Sequence, residues 1–597
     1  MFAPRRPAAA SAPPRPPATT TQLLAIASIV VGVAIGAVML LVPSARTAAI
    51  GNRAAGPALP TAEGGAGRAR WVIEENRRPG TPDWHITGPT SRGEIEGYAD
   101  TTSVNRGRSV RLFVSTKAST YRVEAYRIGW YGGRQGRLVW KSGTVNGVDQ
   151  ADATVDPTTN MAEARWSPSL SVNVDRSWPP GNYLLKLVAA NGYAQYVPLT
   201  VRDDESRAAL VVVNAVTTWQ AYNRWGGHSL YEGVDGSGTT SASGRADVVS
   251  FDRPYENDSG AGDFLGNELP MISLLEKEGY DVTYWTDIDL HSGSGRLANH
   301  RALLTLGHDE YWSKEMRDGV EAARDRGVNV AFFGANAVFR AIRLTPSDLG
   351  PDRRQVNYRV ASADPLNGVD DSRVTVSWRE PPLNRPESTL VGAFYQCNPV
   401  KADFVVADAS AWAFAGTGLR NGDRIPNLVG PEYDRYDVNA PLPPGPVQVL
   451  GHSPVRCSGR ASYSDMTYYS TRSGAGVVAT GTNWWISRLN PACPPRDGCY
   501  DERVAGVTRN ILDAFAAGPA GRAHPSIANL HLLDEDKVRE TTPPTVSEQP
   551  IPTTTSSTAP ATTTSRVPSS IYAGPPTTVR RPQNTIPLGP TLPFPRR

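Results

Sequence analysis

From Ala208 to Asn336 the chain repeats one unit, and that repeat limits the fold more than any other feature. AALVVVNA, RALLTLG and NVAFFGAN are short, mainly apolar runs, YDVTYWTD reads as a further strand, and ELPMISLLEKEG and SKEMRDGVEAARDRG carry helical patterns between them. Strands apolar on both sides must be covered on both sides, and strands alternating with helices form parallel sheets. The helix after RALLTLG has Ser313 as N-cap and Gly327 just past its end, with Met316, Val320 and Ala323 on one face. Farther on, GAGVVATGTNWW supplies another strand and DERVAGVTRNILDAFA a closing helix. The stretch 345–460 is mixed and loop-rich, and reads as insertions carrying short strands. The predicted fold class is α/β, with a parallel-sheet domain over 205–520.

With 597 residues, more than one core is expected. Residues 69–204 read as a β-sandwich, because SVRLFVST, YRVEAYRIGWY and NYLLKLVAANGYAQYVPLTV are strand-like and punctuated by Gly, Asn and Pro. Residues 43–68 read as a linker, and 535–597, rich in Thr, Pro and Ser, as a disordered tail. Residues 1–22 form a Pro/Ala-rich tail with Arg5, Arg6 and Arg15 and no acid. The uncharged run Leu23–Val42 is long enough for a transmembrane helix, about 20 residues for a bilayer core of about 30 Å. The arginines ahead of it predict a cytoplasmic N-terminus, a single pass through the cell membrane and C-terminal domains outside the cytoplasm. A cleaved signal peptide is the other reading, since SARTAA offers small residues.

In that compartment the four cysteines are expected as two disulfides. Cys493 and Cys499 flank the turn-rich PPRDG and are paired, which leaves Cys397 with Cys457. The formal charge of +3 and the lack of a basic stripe argue against a nucleic-acid partner.

Ligands of parallel sheets bind at the carboxyl ends of the strands. Four such ends here are polar: NAVTTWQAYNRWGGHSLYEG, TDIDLH, GHDEYW and GANAVFR. There is no G-x-S-x-G elbow, H-E-x-x-H or phosphate loop, and all cysteines lie far along the chain. With 8 His in the chain, a clustered zinc site is not expected. What remains is oxygen chemistry: Tyr222, Tyr231, Tyr255, Glu310 and Tyr311, with His308 and Asp309 beside them. Carboxylate and phenolate are ligands for a hard cation such as ferric iron, which would acidify bound water or polarise a carbonyl. Glu310, His308 and Asp309 are the catalytic candidates. Plainer roles compete: Tyr222 and Tyr231 as interface packing, Glu310 as a helix-terminus carboxylate, His308 as an orienting histidine, Asp287 and Asp289 as caps, and Trp130 and Tyr131 as a turn at a domain interface.

These segments, with SFDRPYE and GAGVVATGTNWW, resemble the C-terminal domain family of the N,N-dimethylformamidase beta (large) subunit over roughly 205–520. GHDEYW and WQAYN are the most specific. The resemblance implies a glutamine-amidotransferase-like α/β fold without the amidotransferase cysteine. It also implies a mononuclear iron (Fe3+) held by two tyrosines and a glutamate, and hydrolysis of an amide C–N bond. Carried over by residue, Glu310 matches the glutamate and Tyr222 one tyrosine. Tyr255 is the first choice for the second, with Tyr231 in reserve. The expected partners are the membrane, through Leu23–Val42, and a small amide or an envelope ligand. The alternative function is a non-catalytic cell-envelope module that binds glycan or peptide.

Overall fold

Two sheets built from residues 95–202 face each other across an apolar core. One has the strands Ile95–Ala99, Arg108–Thr116 and Leu170–Val174. The other runs Ser103–Asn105, Ala194–Arg202, Gly181–Ala189, Thr120–Ile128 and Gly136–Lys141, with Val145–Asn146 added to its Thr120–Ile128 strand. Alternate residues such as Val110, Leu112, Val172, Val123, Leu185 and Val197 fill the space between them, as the two-residue period of a strand requires. The computed structural model describes residues 67–494 and 498–530, all within one compact unit spanning Leu59–Arg597.

The strands of the Ala208–Asn336 repeat do pair side by side. The order is Val282–Thr286, Leu210–Asn214, Ala302–Gly307, Asn329–Gly334 and Gly476–Ala479, all parallel. Both faces are covered. Leu210, Val212, Leu304 and Phe333 meet the helices Leu269–Lys277 and Glu502–Ala517 on one side. Val211, Leu303, Val330 and Phe332 meet Met316, Val320 and Ala323 of the helix Lys314–Arg324 on the other. Ser313 caps that helix by accepting from Met316 N at 3.2 Å.

The sheet then departs from expectation. Arg460–Ser470 joins Gly476–Ala479 antiparallel, and Val447–Cys457 joins Arg460–Ser470 antiparallel, giving a mixed seven-stranded sheet. Further small sheets surround it, among them a four-stranded one in the order Val248–Ser250, Gly350–Val356, Arg340–Ser347 and Tyr311–Ser313. The α/β class with a glutamine-amidotransferase-like parallel-sheet fold is therefore corrected: among the described residues the chain is strand-rich and multi-sheeted. The cause lies in 345–460, where residues taken for insertions supply paired strands. The transmembrane helix is corrected too. Among the described residues no helix is long and apolar enough to cross a membrane, which removes the structural footing for a single-pass cell-membrane location. Leu23–Val42 itself lies outside the described residues, as do the tail 535–597 and nearly all of the linker 43–68.

The two-sheet layer is joined to the mixed sheet by buried charge. Arg127, on Thr120–Ile128, donates to Glu276 of the Leu269–Lys277 helix at 2.7 and 2.5 Å, and both side chains are wholly buried. Tyr284 and Asn76 donate to the same carboxylate at 2.8 and 2.6 Å. Tyr131 accepts from Arg127 at 2.9 Å, so it belongs to this junction. Both disulfides are present, Cys397–Cys457 and Cys493–Cys499.

Candidate functional site

The strand Ala302–Gly307 ends in a glycine because nothing else fits. Gly307 has φ +64, and a Cβ there would sit 2.6 Å from Asn267 Cβ. The neighbouring strand ends just as tightly: a Cβ on Gly334 would sit 1.9 Å from the Gly307 carbonyl oxygen. From Gly307 the chain turns and presents His308, Asp309 and Glu310, all buried.

The backbone of this turn is clamped from two sides. Thr218, in the helix Val216–Tyr222, accepts from Glu310 N at 2.9 Å. On the other side, Val338 N donates to Asp309 O at 3.0 Å, and Phe339 N and Arg340 N donate to Glu310 O, each at 2.9 Å. That second clamp is a strained loop. Asn336 and Val338 both have φ +56, a left-handed conformation that is unusual for a β-branched residue. Such strain persists only where the surroundings enforce it, and it concentrates at functional sites.

Glu310 is the centre of the site. Its Oε2 accepts from Tyr222 at 2.9 Å and from Tyr231 at 2.7 Å. The two rings stack with centroids 4.3 Å apart. Tyr222 ends the helix that follows the first strand, and Tyr231 folds back from the loop beyond it. His308 Nε2 lies 3.4 Å from Glu310 Oε2 and 3.1 Å from Glu432 Oε2. Asn336 Nδ2 is 3.3 Å from the same nitrogen. Glu432 is further held by Asn398, which donates to its Oε1 at 3.0 Å. Arg340 Nε stands 3.9 Å from Glu310 Oε1.

Burial and the Glu310 charge push both phenols well above their ordinary range, so without a cation both keep their protons and donate to Glu310. Burial also pushes the Glu310 carboxyl up. The His308 hydrogen bond and charge outweigh that, holding it below the usual range and ionised.

Of the sequence candidates, Glu310, Tyr222, Tyr231 and His308 are brought together. Tyr255 is placed elsewhere. Its ring meets Trp219 edge-on at 6.1 Å, and it lines a small cavity with Phe264, Asn182 and Arg353. Its buried hydroxyl has no hydrogen-bond partner among the described residues. Asp309 turns inward and accepts from Trp312 at 2.8 Å, and burial raises its carboxyl to about 7. Asp289 caps the helix Asp287–Gly293 through Thr286, and Asp287 is buried against Thr217. Sequence reasoning missed Glu432, Asn336, Arg340 and Arg359. The visible signal for Glu432 was the polar, aromatic run PEYDRYD within the stretch read as insertions.

The geometry defines a class of site: a buried oxygen-donor centre of two phenols and one carboxylate at a strand tip, with a second carboxylate bridged through histidine. Among the described residues no group of three or more His, Cys, Asp or Glu could hold a metal ion, so an ion would have to use the tyrosines. The chain belongs to the N,N-dimethylformamidase beta subunit-like, C-terminal family, whose model matches residues 122–499. That match takes in the site and begins in the two-sheet layer, at the strand that carries Arg127. Two curated relatives are N,N-dimethylformamidase beta subunits, from Paracoccus aminophilus at 24% identity and from an Alcaligenes species at 23%, each over 326 residues. The matched region is 48% of this chain and 42% of each relative, so less than half of the relatives' length is represented. Among solved structures, a cycloisomaltooligosaccharide glucanotransferase from a Paenibacillus species aligns over 53% of this chain and 62% of its own, at 8% identity and a TM-score of 0.16. A score that low carries no argument about fold or function.

Proposed function

We propose that this chain hydrolyses a small linear amide at its C–N bond, using a ferric ion held by Tyr222, Tyr231 and Glu310. The observation that carries the reading is the meeting of two phenol oxygens on one carboxylate oxygen, at 2.9 and 2.7 Å. All three donors are hard oxygens able to carry negative charge, the set a trivalent hard cation prefers. When bound, such an ion supplies Lewis acidity toward a carbonyl oxygen and makes an adjacent water more acidic. Membership of a family with formamidase subunits supports the amide as substrate.

The protein's own groups carry the protons. Glu432 Oε2 takes a proton from the attacking water as the water oxygen bonds to the carbonyl carbon. It returns that proton to the amine nitrogen as the C–N bond breaks. His308 Nε2 donates between the two carboxylates and holds Glu432 beside Glu310. Arg340 offsets the charge of Glu310. A base placed this way is worth roughly 10²- to 10⁴-fold in rate.

Two variants test the reading. Tyr222→Phe keeps the stacked ring and removes one oxygen. It is expected to melt with wild type yet lose the visible tyrosinate-to-iron band and the hydrolysis of formamides. Glu432→Gln is expected to keep the band and lose about 10²- to 10⁴-fold in kcat. A wild-type chain that takes up no iron and shows no band, or a Tyr222→Phe chain that keeps both, overturns the proposal.

A further inference from the structure

Behind the proposed ligands stands an arginine with no direct ion pair among the described residues. Arg359 Cζ lies 4.2 Å from the centre of the Tyr231 ring, on its face. One of its Nη atoms donates to the Tyr311 hydroxyl at 3.1 Å. No carboxylate lies within ion-pairing distance of it among the described residues, and its buried Nε has no hydrogen-bond partner there. Its backbone sits in the left-handed region, at φ +65, a conformation that a residue other than glycine holds only under constraint. The charges that act on it are those of the site itself, the Glu310 carboxylate and the phenols of Tyr311, Tyr231 and Tyr222.

Tyr311 touches both the arginine and Tyr231. It is fully buried, stands edge-on to Tyr231 with centroids 6.4 Å apart, and its hydroxyl is close enough to that of Tyr231 to interact with it. A guanidinium has donors only, so the Tyr311 oxygen is the acceptor toward Arg359. Its single O–H is left for another partner, and the Tyr231 oxygen is the one at hand. In the metal-free protein Tyr231 donates its own proton to Glu310. Were Tyr231 to hold the proposed ion, that proton would be gone and its oxygen and ring would carry negative charge.

We propose that Arg359 and Tyr311 form a built-in counter-charge for an ionised Tyr231, Tyr311 through a hydrogen bond to its oxygen and Arg359 over its ring and through Tyr311. They are positioning residues that tune the metal site, and the inference rests on the metal reading above. A hydrogen bond to a phenolate ligand draws electron density off its oxygen and makes charge transfer to the metal harder. Removing the donor makes it easier.

The test is the position of the visible band in the iron-loaded full chain, which does not depend on how much iron each variant retains or on turnover. Tyr311→Phe keeps the ring, and Arg359→Met keeps most of the volume. Both are expected to move the band to longer wavelength, with the tyrosinate vibrations of the resonance Raman spectrum moving as well. Arg359→Lys, which keeps the charge, is expected to fall between wild type and Arg359→Met. A wild-type band that all three variants leave in place overturns the counter-charge and leaves the metal reading standing. A variant that only loses iron, with the band of the remainder unmoved, also overturns it and marks a structural role. A wild-type chain with no band after iron loading overturns both.

Discussion

At the scale of single residues, the acidic side chains of this protein divide by what burial does to them. Glu310 is held ionised by His308, whereas Glu268 is not. Glu268 accepts from Ala215 N at 3.0 Å and Trp219 Nε1 at 3.1 Å, and also from Asn214, yet burial outweighs these donors and lifts its carboxyl to about 8. The folded state thus binds a proton that the unfolded state has lost above its ordinary value of 4.5. The stability tied to that proton is fully present below the unfolded value and is lost as pH rises toward 8, at up to about 1.4 kcal/mol per pH unit. Glu268→Gln cannot ionise, so urea unfolding from pH 5 to 8 should show a shallower decline in the variant. Equal slopes would contradict the assignment. That Glu310, Tyr222 and His308 lie at neighbouring strand and helix ends was legible, because such ends announce themselves in sequence. That Tyr231 rather than Tyr255 lies against Glu310 was not, because which loop residue folds back is decided by packing. Glu432 reaches the site from a distant segment, which no local pattern records.

Among the elements, the strands of the parallel part were legible as continuous apolar runs, and the helix Lys314–Arg324 by its cap and apolar face. The hairpin of Val447–Cys457 and Arg460–Ser470 was not. Its alternation is interrupted by Gly451, His452 and Pro454, and a strand's partner lies outside its own sequence. This hairpin is also an anchor. Cys457 ends its first strand and is bridged to Cys397, closing a separation of 60 residues that contains Asn398, Glu432 and Asp434. Opening a loop of that length in the unfolded state is worth about 2–4 kcal/mol. Replacing both cysteines with serine should lower stability by about that amount. It should also speed amide exchange over 398–434 more than in the parallel strands. Uniform exchange would show that the bridge does not secure the Glu432 segment.

For the molecule as a whole, the two-sheet layer and the mixed sheet depend on each other. Arg127 and Glu276 meet with no exposure to solvent, and Tyr284, Asn76 and Tyr131 complete the network. Removing one partner strands a buried charge. Arg127→Ala is therefore expected to cost roughly 3–5 kcal/mol in denaturant unfolding, and Arg127→Met with Glu276→Leu much less, since both charges go together. Equal losses in the two variants would show that packing, not charge, governs the junction. The family match already begins in the strand that carries Arg127, so part of this layer lies in the matched region along with the site.

The two strand tips behind the site, Gly307 and Gly334, press so close that neither has room for a side chain. In a library that randomised 305–340, these two positions would act as fixed points around which the rest could vary. The donors at 308 and 310 could be exchanged for other chemistries, whereas the hinge that aims them could not. That makes the turn a mount rather than a reagent, and it is the mount that a redesign of this centre would have to inherit unchanged.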